Sequence, residues 1–247
     1  MKIAIAGGTG VVGSHTVAAA KAAGHEPVVL ARSLGVDVFT GQGLGEALAG
    51  VDAVIDVTNK VAVRAKPSIA FFEAATRNLI EAGRAAGVQH HVVMSIVGID
   101  LVDYGYYFGK RAQEEAALSS GAPVSILRAT QFHEFPGQLM DRTKGPVAVI
   151  PRMKVQTVAA ADVGQALVSL ASGPAVGRAP DIAGPEVSDL ADLARRLQAT
   201  TGKTKSIWAM NVPGKAGKAM RDGALLPAGD GPRGKVTFED WLQQQTP

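Results

Sequence analysis

Residues 2–15, KIAIAGGTGVVGSH, run a short apolar stretch straight into glycines at 7, 8, 10 and 13. Gly7, Gly10 and Gly13 read G-x-x-G-x-x-G, and no other feature of the chain narrows its fold as far. A chain that leaves a buried strand, turns at once and starts a helix needs glycine for three separate reasons. Gly7 permits the tight turn, Gly10 keeps the space before the helix clear, and Gly13 lets the helix pack close to the sheet. The backbone N–H groups around Thr9, Gly10, Val11 and Val12 then meet a ligand at the positive end of the helix. That setting suits a pyrophosphate. A glycine triplet gains its meaning from context, and here a strand precedes it and a helical pattern follows.

The rest of the chain supplies a matching frame. Lys2–Ala6, Val28–Ala31, Ala53–Val57, His91–Ser95 and Val124–Arg128 are rich in Val, Ile and Ala and show no polar alternation. Strands buried on both faces of a parallel sheet read this way. A weaker run, Val36–Phe39, is the expected sixth strand. Helical patterns cover 11–23, 44–49, 71–86 and 106–120, with Gly24, Gly87 and Gly121 as stops. The expectation is α/β, a Rossmann-type doubly wound parallel sheet with right-handed crossovers.

After Arg128 the rhythm changes to a long loop, a short strand at Val147–Ile150 and a helix from about Asp162. A helix over 189–200 capped by Ser188 follows, then an irregular stretch from Pro213 to Lys235 and a closing helix behind Thr237. This divides one domain into a nucleotide-binding core, 1–128, and a C-terminal lobe over the substrate cleft, 129–247.

Composition removes whole classes of function. With 247 residues, 47% hydrophobic and 19% charged, the chain can bury a core. A net charge of +3 gives no ground for nucleic acid binding, and the basic stretch Lys203, Lys205, Lys215, Lys218, Arg221, Arg233 and Lys235 reads as a solvated face. The absence of cysteine excludes disulfides, thiolate nucleophiles and thiolate metal sites. No histidine–carboxylate spacing suggests a metal, since "HE" at 133–134 lacks the second histidine of a zinc helix. A strand beginning at Lys2 leaves no room for a signal peptide, and no apolar run is long enough to span a bilayer. A cytoplasmic protein with a small-molecule substrate and no membrane partner is expected, its oligomeric state open.

Two further stretches specify the ligand and its chemistry. An NAD-specific site would carry Asp or Glu at the end of the second strand, but here "VVLARS" sets Arg32 there. A guanidinium pairs with a 2′-phosphate and stacks on adenine, and Ser33 adds a hydroxyl, so NADP(H) is the expected cofactor. In "VIDVTN", Thr58 and Asn59 fall at a strand's carboxyl edge, where they can touch ribose or diphosphate, while Asp56 is expected to face a neighbouring helix end. In "SIVGIDLVDYGYYFGKRAQEE", Tyr106 and Lys110 are four apart and share a helix face. Lys110 can bind the nicotinamide ribose and lower the pKa of a phenol beside it. Tyr106 can then pass a proton to a substrate oxygen that Ser95 polarises. After the last core strand, Gln131, Phe132 and His133 of "ATQFHEF" are candidates to line the substrate pocket, with His133 an alternative acid. His90 and His91 are expected to hydrogen-bond at the sheet entrance, and His15 to be exposed.

The glycine turn, "ARS", "VTN", "SIVGID" and "YYFGKRAQEE" together resemble the atypical short-chain dehydrogenase/reductase superfamily, in its NmrA-like NAD(P)H-binding branch. The resemblance runs from Met1 to about Ser172. It implies Lys110 as the cofactor lysine, Arg32 as the reader of the 2′-phosphate and Tyr106 as the first position of Y-x-x-x-K. Typical members place the catalytic serine about a dozen residues before the tyrosine. Ser95 is eleven before Tyr106 and twelve before Tyr107, which leaves the tyrosine open. The implied activity is NADP(H)-dependent hydride transfer to a small carbonyl, quinone or conjugated substrate. The alternatives are a non-catalytic NADP(H) redox sensor, marked by an exposed apolar patch, and an epimerase or dehydratase, for which 247 residues leave little chain.

Overall fold

The five apolar runs become neighbouring strands of one sheet in the computed structural model, which describes residues 1–60, 64–202 and 205–245. These are β1 (Lys2–Ala6), β2 (Glu26–Leu30), β3 (Ala53–Asp56), β4 (His90–Ile96) and β5 (Val124–Ala129). Between them run α1 (Val11–Ala22), the short α2 (Leu44–Ala47), α3 (Ala65–Ala86) and α4 (Gly105–Leu118). The sheet order is β2-β1-β3-β4-β5-β8, where β8 is Gly177–Arg178, with β1 parallel to both β2 and β3. Ile3, Ala4, Ile5 and Ala6 of β1 are fully buried, which is why this strand shows no alternation.

The sixth strand is not where the sequence pattern puts it. Val36–Phe39 forms no sheet strand; Asp37 makes only an isolated bridge with Gln42. Gly35, Gly41 and Gly43 all take positive φ and fold this segment back on itself. Val36 and Val38 are instead spent on the core formed with Leu44, Leu48 and Leu79. The sixth strand is β8, only Gly177–Arg178, parallel to β5 and too short and polar to show as an apolar run.

Two compact units follow. The first comprises residues 1–96, 104–128 and 163–180, the second 97–103, 129–162 and 181–247. These bounds differ from the sequence-based division at residue 128 at two places. Residues 163–180, most of α6 (Ala160–Ala171) and β8, return to the first unit, where a Cβ on Gly164 would stand 2.9 Å from the His15 carbonyl carbon of α1. Residues 97–103 leave it.

The second unit holds α5 (Phe135–Arg142), inside what reads as a long loop, then β6 (Val147–Pro151) and β7 (Lys154–Val155). Beyond β9 (Ser188–Asp189) come α7 (Leu190–Thr201), β10 (Ser206–Met210), α8 (Gly214–Arg221) and α9 (Phe238–Gln243). The cap of α7 is Asp189, which accepts from the Ala191 N–H at 2.9 Å, while Ser188 pairs with Val155 in a β-ribbon. Thr237 caps α9 in a full capping box with Asp240. Much of the basic stretch is tied down locally: Lys205 Nζ donates to the Met140 and Thr143 carbonyls at the end of α5, and Lys218 pairs with Asp222. Lys203 lies outside the described residues.

Candidate functional site: a dinucleotide cleft at the carboxyl edge of the sheet

The chain leaves β1 through Gly7 at φ 81°, whose N–H donates to the Leu30 carbonyl at 3.0 Å. A Cβ on Gly7 would lie 3.0 Å from the Val57 carbonyl oxygen, and one on Gly13 only 2.1 Å from the Gly7 carbonyl oxygen. Gly10 differs. Its φ of −80° and ψ of 176° are open to any residue, and a Cβ would meet only the Gly7 carbonyl oxygen, at 3.3 Å. The described residues leave open space around Gly10, which lines the cavity described next. No side chain caps α1, and its first-turn N–H groups remain available to an anion. Val11 is exposed, Val12 and Gly13 buried.

A cavity of about 390 Å³ adjoins this turn. Gly7, Thr9 and Gly10 form one wall and Arg32, Thr58 and Asn59 contribute to others, so six of the residues singled out from sequence meet in one place. Ser33 is exposed and does not line it. Sequence reading missed Asp37, Val38, Phe39, Lys60 and Phe71, which line it as well. Phe39 and Phe71 stack at 5.8 Å between centroids, and Lys60 Nζ lies 5.5 and 5.1 Å from their rings. The available signal was position: Val36–Phe39 follows β2, and ligands of such sheets lie beyond the strands' carboxyl ends. The cations lining the cavity are Arg32 and Lys60; Asp37 is its one acid among the described residues, with an oxygen accepting the Phe39 N–H at 2.8 Å.

Asp56 is buried at the end of β3. It does not meet a helix terminus; Oδ1 accepts the Thr58 N–H (2.9 Å) and hydroxyl (2.6 Å), and Oδ2 accepts the Gln113 side-chain N–H of α4 (2.8 Å). Tyr106 and Tyr107 part company on α4. Tyr106 is half-buried and donates its hydroxyl to Asn59 Oδ1 at 2.9 Å, beside the cavity lining. Tyr107 is buried, and burial followed by the neighbouring tyrosines pushes its pKa up, away from easy proton release. Lys110 is buried, its Nζ donating to the Met94 carbonyl at 2.7 Å and to Gln113 Oε1. Burial lowers its pKa to about 8, against the raising influence of Asp56 and Glu114.

Ser95 is buried, and its hydroxyl makes no hydrogen bond among the described residues. Burial alone would push the Glu114 carboxyl up; the Arg128 and Arg178 guanidiniums bonded to it outweigh this and hold the carboxyl below its ordinary range.

In the second unit, His133 is fully buried. Its Nδ1 meets the Thr157 hydroxyl at 2.8 Å and its Nε2 the Val236 carbonyl at 3.1 Å, with Phe238 and Trp241 against the ring. Both ring nitrogens are engaged, which corrects the expectation of a pocket-lining acid. Gln131 is the opposite case: both ends of its amide are buried and make no hydrogen bond among the described residues. Such a group is costly unless a ligand completes it. Phe132 is half-buried, its backbone bridged to Val158. His90 Nε2 meets Ser125 Oγ at 2.9 Å, the hydrogen bond expected at the sheet entrance, whereas His91 Nε2 is buried with no hydrogen bond among the described residues; His15 is exposed. Among the described residues no cluster is suited to a metal ion, and no helix is long and apolar enough to cross a membrane.

A glycine turn feeding an uncapped helix, beside a cavity at the carboxyl edge of a parallel sheet, defines a dinucleotide-binding α/β protein. Residues 7–174 match the NAD(P)H-binding family model, and the chain belongs to that family. No curated protein matches the chain significantly. Among solved structures it resembles the Citrobacter sp. triphenylmethane reductase complexed with NADP(H), at 17% identity over 99% of both chains with a TM-score of 0.73. It also resembles an NADPH-dependent quinone oxidoreductase of Escherichia coli complexed with NADPH, at 19% identity over 98% of this chain and 99% of that one, TM-score 0.70. A UDP-N-acetylglucosamine 4-epimerase from Bacillus cereus matches at 19% identity over 99% and 96%, TM-score 0.72. At these identities the likeness establishes the Rossmann-type fold shared across reductases and epimerases.

Proposed function

We propose that this protein is an NADP(H)-dependent oxidoreductase of the NmrA-like branch of the atypical short-chain dehydrogenases/reductases, reducing a small carbonyl, quinone or conjugated compound. The nicotinamide supplies the hydride when bound; the chain's task is to orient both partners, exclude water and move the proton. Arg32 takes the 2′-phosphate, with Lys60 adding charge and the Phe39–Phe71 pair an aromatic wall for adenine. Lys110 holds ribose hydroxyls, and Tyr106 delivers a proton to the substrate oxygen.

The observation that carries this reading is the split on α4: the Tyr106 hydroxyl meets Asn59 beside the cavity lining, while the Lys110 ammonium is buried one turn on. Ser95, fully buried on β4, has the weaker claim to a role at the substrate oxygen. The test is NADPH consumption across a panel of quinones, aldehydes and enones. Tyr106→Phe should leave NADPH affinity nearly unchanged and lower turnover about 10²–10⁴-fold, with Tyr107→Phe much milder.

A second reading, the redox sensor, is favoured by one feature. Val147, Trp208 and Met210 leave an exposed apolar face on the β6–β10 ribbon, with Trp208 61% exposed. Tight NADPH binding with no turnover on the whole panel would favour the sensor and overturn the enzyme.

A further inference from the structure

Lys110 is the one buried lysine among the described residues, and its surroundings form a directed chain. Its ammonium carries three N–H donors. One goes to the Met94 carbonyl of β4 and one to Gln113 Oε1, with the Phe72 ring of α3 4.7 Å from Nζ. The other end of the Gln113 amide donates to Asp56 Oδ2 at 2.8 Å, and Asp56 Oδ1 holds the Thr58 N–H and hydroxyl. Asp56, Gln113 and Lys110 are each at most 2% exposed, so water does not compete with these bonds.

A lone glutamine amide can be reversed without loss. This one cannot. An ionised carboxylate only accepts, so Asp56 must face the NH₂ end of Gln113, which turns the carbonyl end onto Lys110. We propose that Asp56 and Gln113 are positioning residues for the cofactor: Asp56, acting through the Gln113 amide, fixes the Lys110 ammonium where it meets the ribose hydroxyls, while the same carboxylate shapes the Thr58 turn of the cleft. The inference rests on Lys110 being the cofactor lysine.

The ionisable groups around Lys110 are Asp56 from β3 and, on α4, Glu114, Tyr106 and Tyr107. Glu114 is held ionised by Arg128 and Arg178, and the α3 neighbour is the uncharged Phe72. Asp56 is thus the charge that the relay transmits, and removing it favours loss of the lysine's proton.

The test is an isosteric charge swap. In Asp56→Asn the new amide and Gln113 present mismatched donors, or Gln113 reverses and sets its NH₂ against Lys110. In Gln113→Glu two carboxylates face each other. Each single change should weaken NADPH binding about tenfold or more at neutral pH, the worth of a charge-assisted hydrogen bond. The double variant Asp56→Asn/Gln113→Glu restores one carboxylate and one amide in reversed order, with the carboxylate now on α4 and accepting from both neighbours. It should recover affinity to within about threefold of wild type, the loss of one weak contact. Calorimetric NADPH affinity should fall as pH rises through about 8 in wild type, at lower pH in Asp56→Asn, and at or above the wild-type pH in the swap. Titration of the Lys110 ¹³Cε resonance in cofactor-free protein should give the same order, and serves if a single variant does not fold.

The proposal is overturned if the swap binds no better than the singles, if the singles bind like wild type, or if affinity drops by one factor at every pH. Lys110→Ala separates the two layers. If it binds NADPH as tightly as wild type, the cofactor-lysine reading fails; if it weakens binding and the relay variants do not, the relay alone fails.

Discussion

Gly10 and Gly13 belong to one motif, yet the structure assigns them different duties, and two substitutions should separate them. At Gly10 the backbone conformation suits any residue and an added Cβ meets a single atom, at 3.3 Å. Replacing glycine by a larger residue there narrows the unfolded ensemble, a gain of about 0.4–1 kcal/mol. Glycine is also the better helix N-cap, and losing it costs about 0.5–1 kcal/mol. The two offset, so Gly10→Val should melt within a few degrees of wild type. Its side chain nonetheless fills the space before the helix, and NADPH affinity should fall below calorimetric detection. At Gly13 an added Cβ would sit 2.1 Å from the Gly7 carbonyl oxygen and 2.7 Å from the Gly8 Cα, both backbone atoms that cannot rotate aside. Helix and turn must separate, an overpacking cost of about 1–3 kcal/mol, or roughly 2–12 °C in Tm for a chain of this size. Thermal unfolding by circular dichroism and NADPH titration of both variants are the assays. Wild-type affinity in Gly10→Val would show that the turn is not the phosphate cradle. Wild-type stability in Gly13→Ala would refute the claim of close helix–turn packing.

Arg32→Ala should erase a preference for NADPH over NADH of at least tenfold, since a charge-assisted contact of about 1.5–3 kcal/mol is lost only with the 2′-phosphate; equal affinity of the wild type for both cofactors would refute the assignment. His91, whose pKa burial lowers to about 4, should make stability pH-dependent. The unfolded chain binds the proton first, so stability is full above about pH 6.5 and declines by up to roughly 3 kcal/mol toward pH 4. Urea unfolding at stepped pH checks this, and a His91→Gln variant that folds should lose much of the slope.

The glycine turn, the five buried strands and their helices were legible in the sequence because each is governed by local rules: glycine sterics, buried-strand composition and helix stops. The residues those rules place at strand ends, Arg32, Thr58 and Asn59, accordingly meet in one cavity. Other facts depended on contacts between distant segments. Val36–Phe39 has a strand's composition, but three left-handed glycines around it turn those valines into core packing. Gly177–Arg178 has no strand signal at all and pairs because β5 offers it an edge. Tyr106 and Tyr107 are adjacent and chemically identical, and only the helix's placement puts one hydroxyl on Asn59 and buries the other. His133 looked free because its partners, Thr157 and Val236, lie 24 and 103 residues away. Asp56 and Gln113, 57 residues apart, meet for the same reason. A local pattern specifies what a segment prefers; which donor meets which acceptor is settled by packing across the chain.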